Sequence, residues 1–189
     1  KGSHVGNLGN LGILSFNGNK IVTTGGGGAI LTNSKIIAGK AKHLSTTAKV
    51  THEWRFSHDE IAFNYRMPNL NAALGCAQLE SLEEKVNLKR NLFVKYQEAF
   101  SNIAGVKVFE APAYSFSNYW LQTLILEPEY SSSMEPLLKK LNLRGLMSRP
   151  IWEPLHTLSI FSGSPRMNMD SVEKLHKQII NIPSSPQLI

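Results

Sequence analysis

Lys20 stands within residues 15–28, Ser-Phe-Asn-Gly-Asn-Lys-Ile-Val-Thr-Thr-Gly-Gly-Gly-Gly. A serine hydroxyl lies five positions before it, and a run of four glycines begins five positions after it. Small residues on both sides leave room for a planar ring beside the amine, and glycine lets backbone N–H groups come close to a phosphate. An amine so placed suits imine formation with a carbonyl compound. A turn carrying a solvated lysine explains the same residues, so the surroundings have to discriminate.

Other chemistries fit less well. A Walker A loop needs Gly-Lys-Ser/Thr in succession, whereas Asn19 separates Gly18 from Lys20 and Ile21 follows. A dinucleotide fingerprint needs its glycines to open a helix, but Gly25 and Gly27 lead into the strand-like Ala29-Ile30-Leu31-Thr32. The six histidines show no HExxH or Cys-His spacing, and Gly-x-Ser-x-Gly does not occur. Schiff-base chemistry at Lys20 is what remains.

The elements that would position this lysine read as short strands over 13–16, 21–24 and 29–32. Ser34 is a helix cap for a segment reaching about residue 44, with Lys40 and His43 near its negative end. Residues 45–66 lack a sustained period and are dense in polar and aromatic groups, the composition of a functional loop. Pro68 opens a helix whose apolar spacing continues to about residue 100. Beyond it the pattern is α+β: strands over 106–109 and 119–126, a helix over 134–141 capped by Ser133, a strand from 145, and a last helix over 171–180 capped by Asp170. Pro183 and Pro186 then make a terminal strap.

Composition narrows the class. The chain has 189 residues, 42% hydrophobic and 18% charged, which supports a packed fold. Its formal charge of +6 comes from scattered basic residues. With no basic block and no interleaved aromatics, that charge suits a phosphate-bearing substrate and argues against nucleic acid. One cysteine, Cys76, leaves no internal disulfide framework and suggests a reducing, cytoplasmic setting. No apolar run approaches the roughly 20 residues that span a bilayer.

Four separated motifs then agree with one family. Gly9-x-x-Gly12-x-Leu14-Ser15-Phe16-Asn17-Gly18-Asn19-Lys20 is followed by Thr23-Thr24 and the glycine run. Next come Phe63-Asn64-Tyr65-Arg66-Met67 with Asn71-Ala72-Ala73-Leu74-Gly75, and finally Arg149-Pro150-Ile151-Trp152-Glu153-Pro154-Leu155-His156. In this order they resemble the pyridoxal-phosphate (PLP) sugar aminotransferases of the DegT/DnrJ/StrS type.

The resemblance implies that Lys20 binds PLP covalently and shuttles the proton between substrate and cofactor carbons. It implies that Ser15 holds the cofactor phosphate and that Asn64 reaches the phosphate in a neighbouring subunit, hence a homodimer with shared sites. His156 falls near the sugar, while Arg66 and Trp152 are candidates for the donor carboxylate and the sugar nucleotide. Relatives with histidine in place of the lysine are dehydratases, so Lys20 argues for amino transfer. Where relatives usually carry Thr and Asp, this chain has Asn7 and Asn10.

The implied reaction moves an amino group from glutamate to a keto nucleotide-sugar, at C4 of a dideoxy sugar by the wording of the lysine motif, for surface polysaccharide. Transfer at C3, or a non-catalytic relative acting as regulator or assembly partner, are the alternatives. The implied fold is α/β: residues 1–68 from a fold-type-I PLP-transferase large domain, 69–104 a long connecting helix, and 105–189 a small α+β C-terminal domain. In this family the acid facing the pyridine nitrogen, the ring-stacking aromatic and the first phosphate turn precede the lysine. The expectation is therefore the C-terminal half of a protein about twice as long.

Overall fold

A computed structural model describes residues 2–188. The chain divides into two compact units, residues 1–83 and 84–189.

In the first unit, strands β1 (Gly12–Ser15) and β2 (Gly28–Leu31) form an antiparallel ladder pairing Gly12 with Leu31 and Ser15 with Gly28. Helix α1 (Lys35–Ser45) follows, and Ser34 caps it by accepting from the Ile37 N–H at 3.3 Å. No glycine stops α1. Thr47 and Ala48 take positive φ of 68° and 47°, held by Thr47 N–H to the Phe63 carbonyl and Ala48 N–H to the His43 carbonyl. Residues 46–66 form an irregular loop, pinned by bridges between Thr46 and Asn64 and between Lys49 and His58.

The single helix expected from Pro68 to residue 100 is two helices, α2 (Asn69–Glu80) and α3 (Leu82–Phe100). Ser81 interrupts them with φ −101° and ψ 10°, and its hydroxyl bonds back to the Gln78 carbonyl at 3.3 Å. Serine side chains compete in this way with the helical ladder.

The second unit is an antiparallel sheet in the order β3 (Val106–Val108), β4 (Gln122–Leu126), β6 (Ile179–Ile182), β5 (Arg149–Pro150). Helices α4 (Met134–Leu143) and α5 (Asp170–His176) lie between strands in sequence. The core is Leu124, Leu126, Ile180 and Ile182, with Tyr96 and Phe100 of α3 and Leu137 and Leu138 of α4 packed on it. Burying each large aliphatic side chain contributes about 1.5–3 kcal/mol.

Two readings of this part change. Residues 179–182 are an inner strand of the sheet and not the end of a helix, because Ile-Ile-Asn-Ile alternates half-buried and buried positions. The strand expected from residue 145 begins only at Arg149, as β5, because Gly145 closes α4.

α3 is fastened to this unit by a buried cation. Lys89 Nζ donates to the Trp120 carbonyl at 3.0 Å and the Ser184 carbonyl at 2.6 Å, and burial lowers the pKa of its ammonium. Tyr96 Oη donates to the Pro183 carbonyl at 3.0 Å, and burial raises its pKa.

Candidate functional site

The lysine loop is a 12-residue insertion between β1 and β2 whose base continues the ladder: Phe16 N–H donates to the Gly27 carbonyl at 3.0 Å. The Phe16 carbonyl accepts from Thr24 N–H at 3.0 Å and from the Thr23 hydroxyl at 3.1 Å. These bonds bring residues 23–24 back across the loop, so Ile21 to Thr24 turn where β-branched composition alone suggests a strand. Gly25 and Gly27 have φ of 79° and 96°.

Lys20 sits in the turn opposite this base, half-buried, its own N–H bonded to the Asn17 carbonyl at 3.0 Å. Ser15 is exposed; its Oγ accepts from Asn17 N–H at 3.4 Å, a long contact that leaves the hydroxyl proton for another acceptor. A β-carbon added at Gly18 or Gly26 would meet nothing within 4 Å, so space is open beside the loop.

Thr24, which the sequence reading did not single out, anchors the loop. It is 2% exposed, its hydroxyl bonds to the Gly26 carbonyl, and its carbonyl accepts from Asn71 Nδ2 of α2 at 2.6 Å. The sequence signal was Asn71, in the Asn-Ala-Ala-Leu-Gly motif.

Asn64 is exposed on a backbone segment tied to the end of α1, through Phe63 N–H to the Leu44 carbonyl and Tyr65 N–H to the Ser45 carbonyl. Arg66 lines a cavity of about 800 Å³ with Ile13, Gly27, Lys42, Met67 and Asn71. Lys20, Ser15 and Asn64 are not among the lining residues. Nearby in sequence, His43 Nε2 lies 2.6 Å from Asp59, whose carboxyl pKa is lowered chiefly by that hydrogen bond. Glu60 beside it is ion-paired with Lys40.

In the second unit, Trp152 is 64% exposed and stacks on Trp120 at 5.9 Å between ring centroids. His156 is the middle residue of a short 3-10 turn, Leu155–Thr157, with Nε2 2.9 Å from Glu173 of α5. His176 Nε2 lies 3.6 Å from Glu153. Glu173, Glu153 and Trp120 were missed by sequence reasoning, although Glu-x-x-His occurs at both 153–156 and 173–176.

The sequence matches the DegT/DnrJ/EryC1/StrS aminotransferase family over residues 1–189. The chain belongs to that family. It is 36% identical over 196 residues to EpsN of Bacillus subtilis (strain 168), covering 100% of this chain and 49% of the relative. With the GDP-perosamine synthase of Vibrio cholerae it shares 35% identity over 190 residues, covering 99% of this chain and 51% of that protein. Among solved structures, Helicobacter pylori PseC, an aminotransferase involved in the biosynthesis of pseudoaminic acid, superposes with a TM-score of 0.92 at 19% identity, over 100% of this chain and 52% of that one. The fold is thus α/β, part of the fold-type-I sugar aminotransferase fold. The chain spans about half the length of the curated relatives it matches. Among the described residues, no helix is long and apolar enough to cross a membrane.

Proposed function

We propose that this chain is the lysine-bearing portion of a PLP-dependent aminotransferase that moves an amino group from glutamate to a keto nucleotide-sugar, at C4 of a dideoxy sugar. The observation that carries the reading is the pinned loop of residues 16–27, which holds Lys20 half-buried beside open space while presenting the Ser15 hydroxyl. Relatives named as GDP-perosamine synthase and as 4-amino-dideoxy-sugar transaminases support the substrate class.

These residues fit PLP: an amine to bind it, a hydroxyl with a proton to donate, and glycine backbone that leaves room for a ring. When bound, the cofactor supplies the electron sink that makes amino transfer between carbons accessible. The Lys20 amine would hold the cofactor and, when free, would move the proton from one carbon to the other. Ser15 donates to a phosphate oxygen, and Asn64 does the same for a second copy of the chain, so the working unit is a homodimer. Exposed Trp54, Phe56 and Ile61 on the 46–66 loop support a protein partner at this surface. Arg66 takes the donor carboxylate. His156 and Trp152 bind the sugar nucleotide. Residues 1–68 belong to the large domain and 105–189 to the small one, with the intervening helical segment connecting them.

The test is spectroscopy and turnover on the full natural-length protein. Imine absorbance on adding PLP, its loss in Lys20→Ala, and glutamate-dependent amination within a panel of keto sugar nucleotides are expected. Imine absorbance that persists in Lys20→Ala would sink the assignment.

A further inference from the structure

The segment 153–156 and helix α5 are joined by two crossed carboxylate–imidazole pairs. Glu153 meets His176 at 3.6 Å, and His156 meets Glu173 at 2.9 Å. Both partners are three residues apart on each side, so the two strips run antiparallel and each glutamate faces the other strip's histidine. The pairs differ in kind. Only the His156–Glu173 contact is a hydrogen bond, and the His156 side chain is 10% exposed while Glu173 stays open to solvent at 54%. His156 Nδ1 is buried and has no hydrogen-bond partner.

An ionised carboxylate only accepts, so the His156 nitrogen facing Glu173 must carry the proton. In the neutral ring this leaves Nδ1 as the acceptor. We propose that Glu173 is a positioning residue: it holds His156 as the Nε2–H tautomer with its ring orientation fixed, and so sets the shape of the loop surface that meets the bound sugar. Glu153 and His176 secure the loop without setting that ring. The sugar contact rests on the proposed function, whereas the tautomer and orientation do not.

Histidine-labelled protein of this chain, observed by nitrogen and proton NMR, decides the matter. The expected result is a slowly exchanging His156 Nε2–H signal with an unprotonated Nδ1. Glu173→Ala should abolish the protected signal. Glu173→Gln, whose amide oxygen still accepts, should retain it, and Glu153→Ala should leave it in place. An unchanged signal in Glu173→Ala overturns the proposal. Equal loss in Glu153→Ala also overturns it, because the glutamates would then act only by fastening the loop. In the full-length PLP-loaded enzyme, Glu173→Ala should raise KM for the nucleotide-sugar about tenfold, the scale of one lost hydrogen bond, with the glutamate half-reaction unchanged. A protected signal in a protein that does not transaminate would refute the proposed function and leave the positioning role standing.

Discussion

Gly75 of α2 lies against the side chain of Thr24, so that a β-carbon placed on Gly75 would stand 3.0 Å from Thr24 Cγ2. Thr24 has little freedom to move: its N–H, hydroxyl and carbonyl are all bonded, to Phe16, Gly26 and Asn71. Gly75→Ala gains about 1 kcal/mol of helix propensity but meets an overpacking cost of about 1–3 kcal/mol. The expected net is a loss of roughly 1 kcal/mol in urea unfolding, larger for Gly75→Val. Thr24→Ser removes the offending methyl, so the double variant Thr24→Ser/Gly75→Ala should recover stability non-additively. Additive losses would show that the contact does not govern the effect.

Lys89 makes the stability of the second unit depend on pH in a stated direction. Burial depresses its folded-state pKa below the ordinary lysine value of about 10.4. Between the two values the unfolded chain binds more protons, so stability rises with pH. The cost of burying the ammonium is fully present below the folded pKa and gone above the unfolded one. Tyr96, with its pKa raised, works oppositely above about pH 10, where the folded state holds the extra proton. Urea unfolding followed from pH 8 to 10 should therefore show a rising contribution that Lys89→Met lacks. Parallel pH curves for the two proteins would contradict this account.

Legibility in the sequence followed how local the controlling forces were. Ser34 and α1 were readable because a cap and its helix are neighbours in sequence. The lysine loop was recognisable by composition, but its course was not. Ile21 to Thr24 look like a strand until the Phe16 carbonyl takes two bonds from residues 23 and 24. Likewise, Ile179–Ile182 follows α5 without a glycine or proline break, so only pairing with β4 and β5 reveals the strand. Among the candidate site residues, Ser15 ends β1 and Lys20 lies five positions on in the loop that follows, so the two could be found together. Glu173 acts on His156 across 17 positions, a distance no short motif spans.

That inner strand gives a direct test of the second unit's core. Ile180 is fully buried among Leu124, Leu126 and Ile182, and it pairs with both Leu124 and Pro150. Ile180→Ala should cost about 2–5 kcal/mol through lost burial and the cavity left behind. Ile180→Val should cost about 0.5–1.5 kcal/mol. Exposed Ile36, on α1 at 85% accessibility, should tolerate alanine within about 0.5 kcal/mol. Equal effects at 180 and 36 in thermal unfolding would contradict the strand assignment.

Two glycines distinguish backbone conformation from available space. At Gly145 and at Gly39 a β-carbon would meet nothing within 4 Å, so sterics with neighbours predict the same outcome for alanine at both. Their backbones differ. Gly145 has φ of 77° and closes α4 with a Schellman pair: its N–H donates to the Asn142 carbonyl at 3.0 Å, and Leu146 N–H donates to the Leu141 carbonyl at 3.0 Å. Alanine there must adopt the left-handed region, at a cost of about 1 kcal/mol. Gly39 lies within α1 and is exposed, so alanine adopts the same helical backbone and removes glycine's excess unfolded-state entropy, a gain of about 0.5–1 kcal/mol. Thermal melts should thus move in opposite directions, down for Gly145→Ala and up for Gly39→Ala, and Gly145→Asn should lose less than Gly145→Ala because asparagine tolerates the left-handed conformation. Shifts of the same sign would mean that α4 does not end in the left-handed turn.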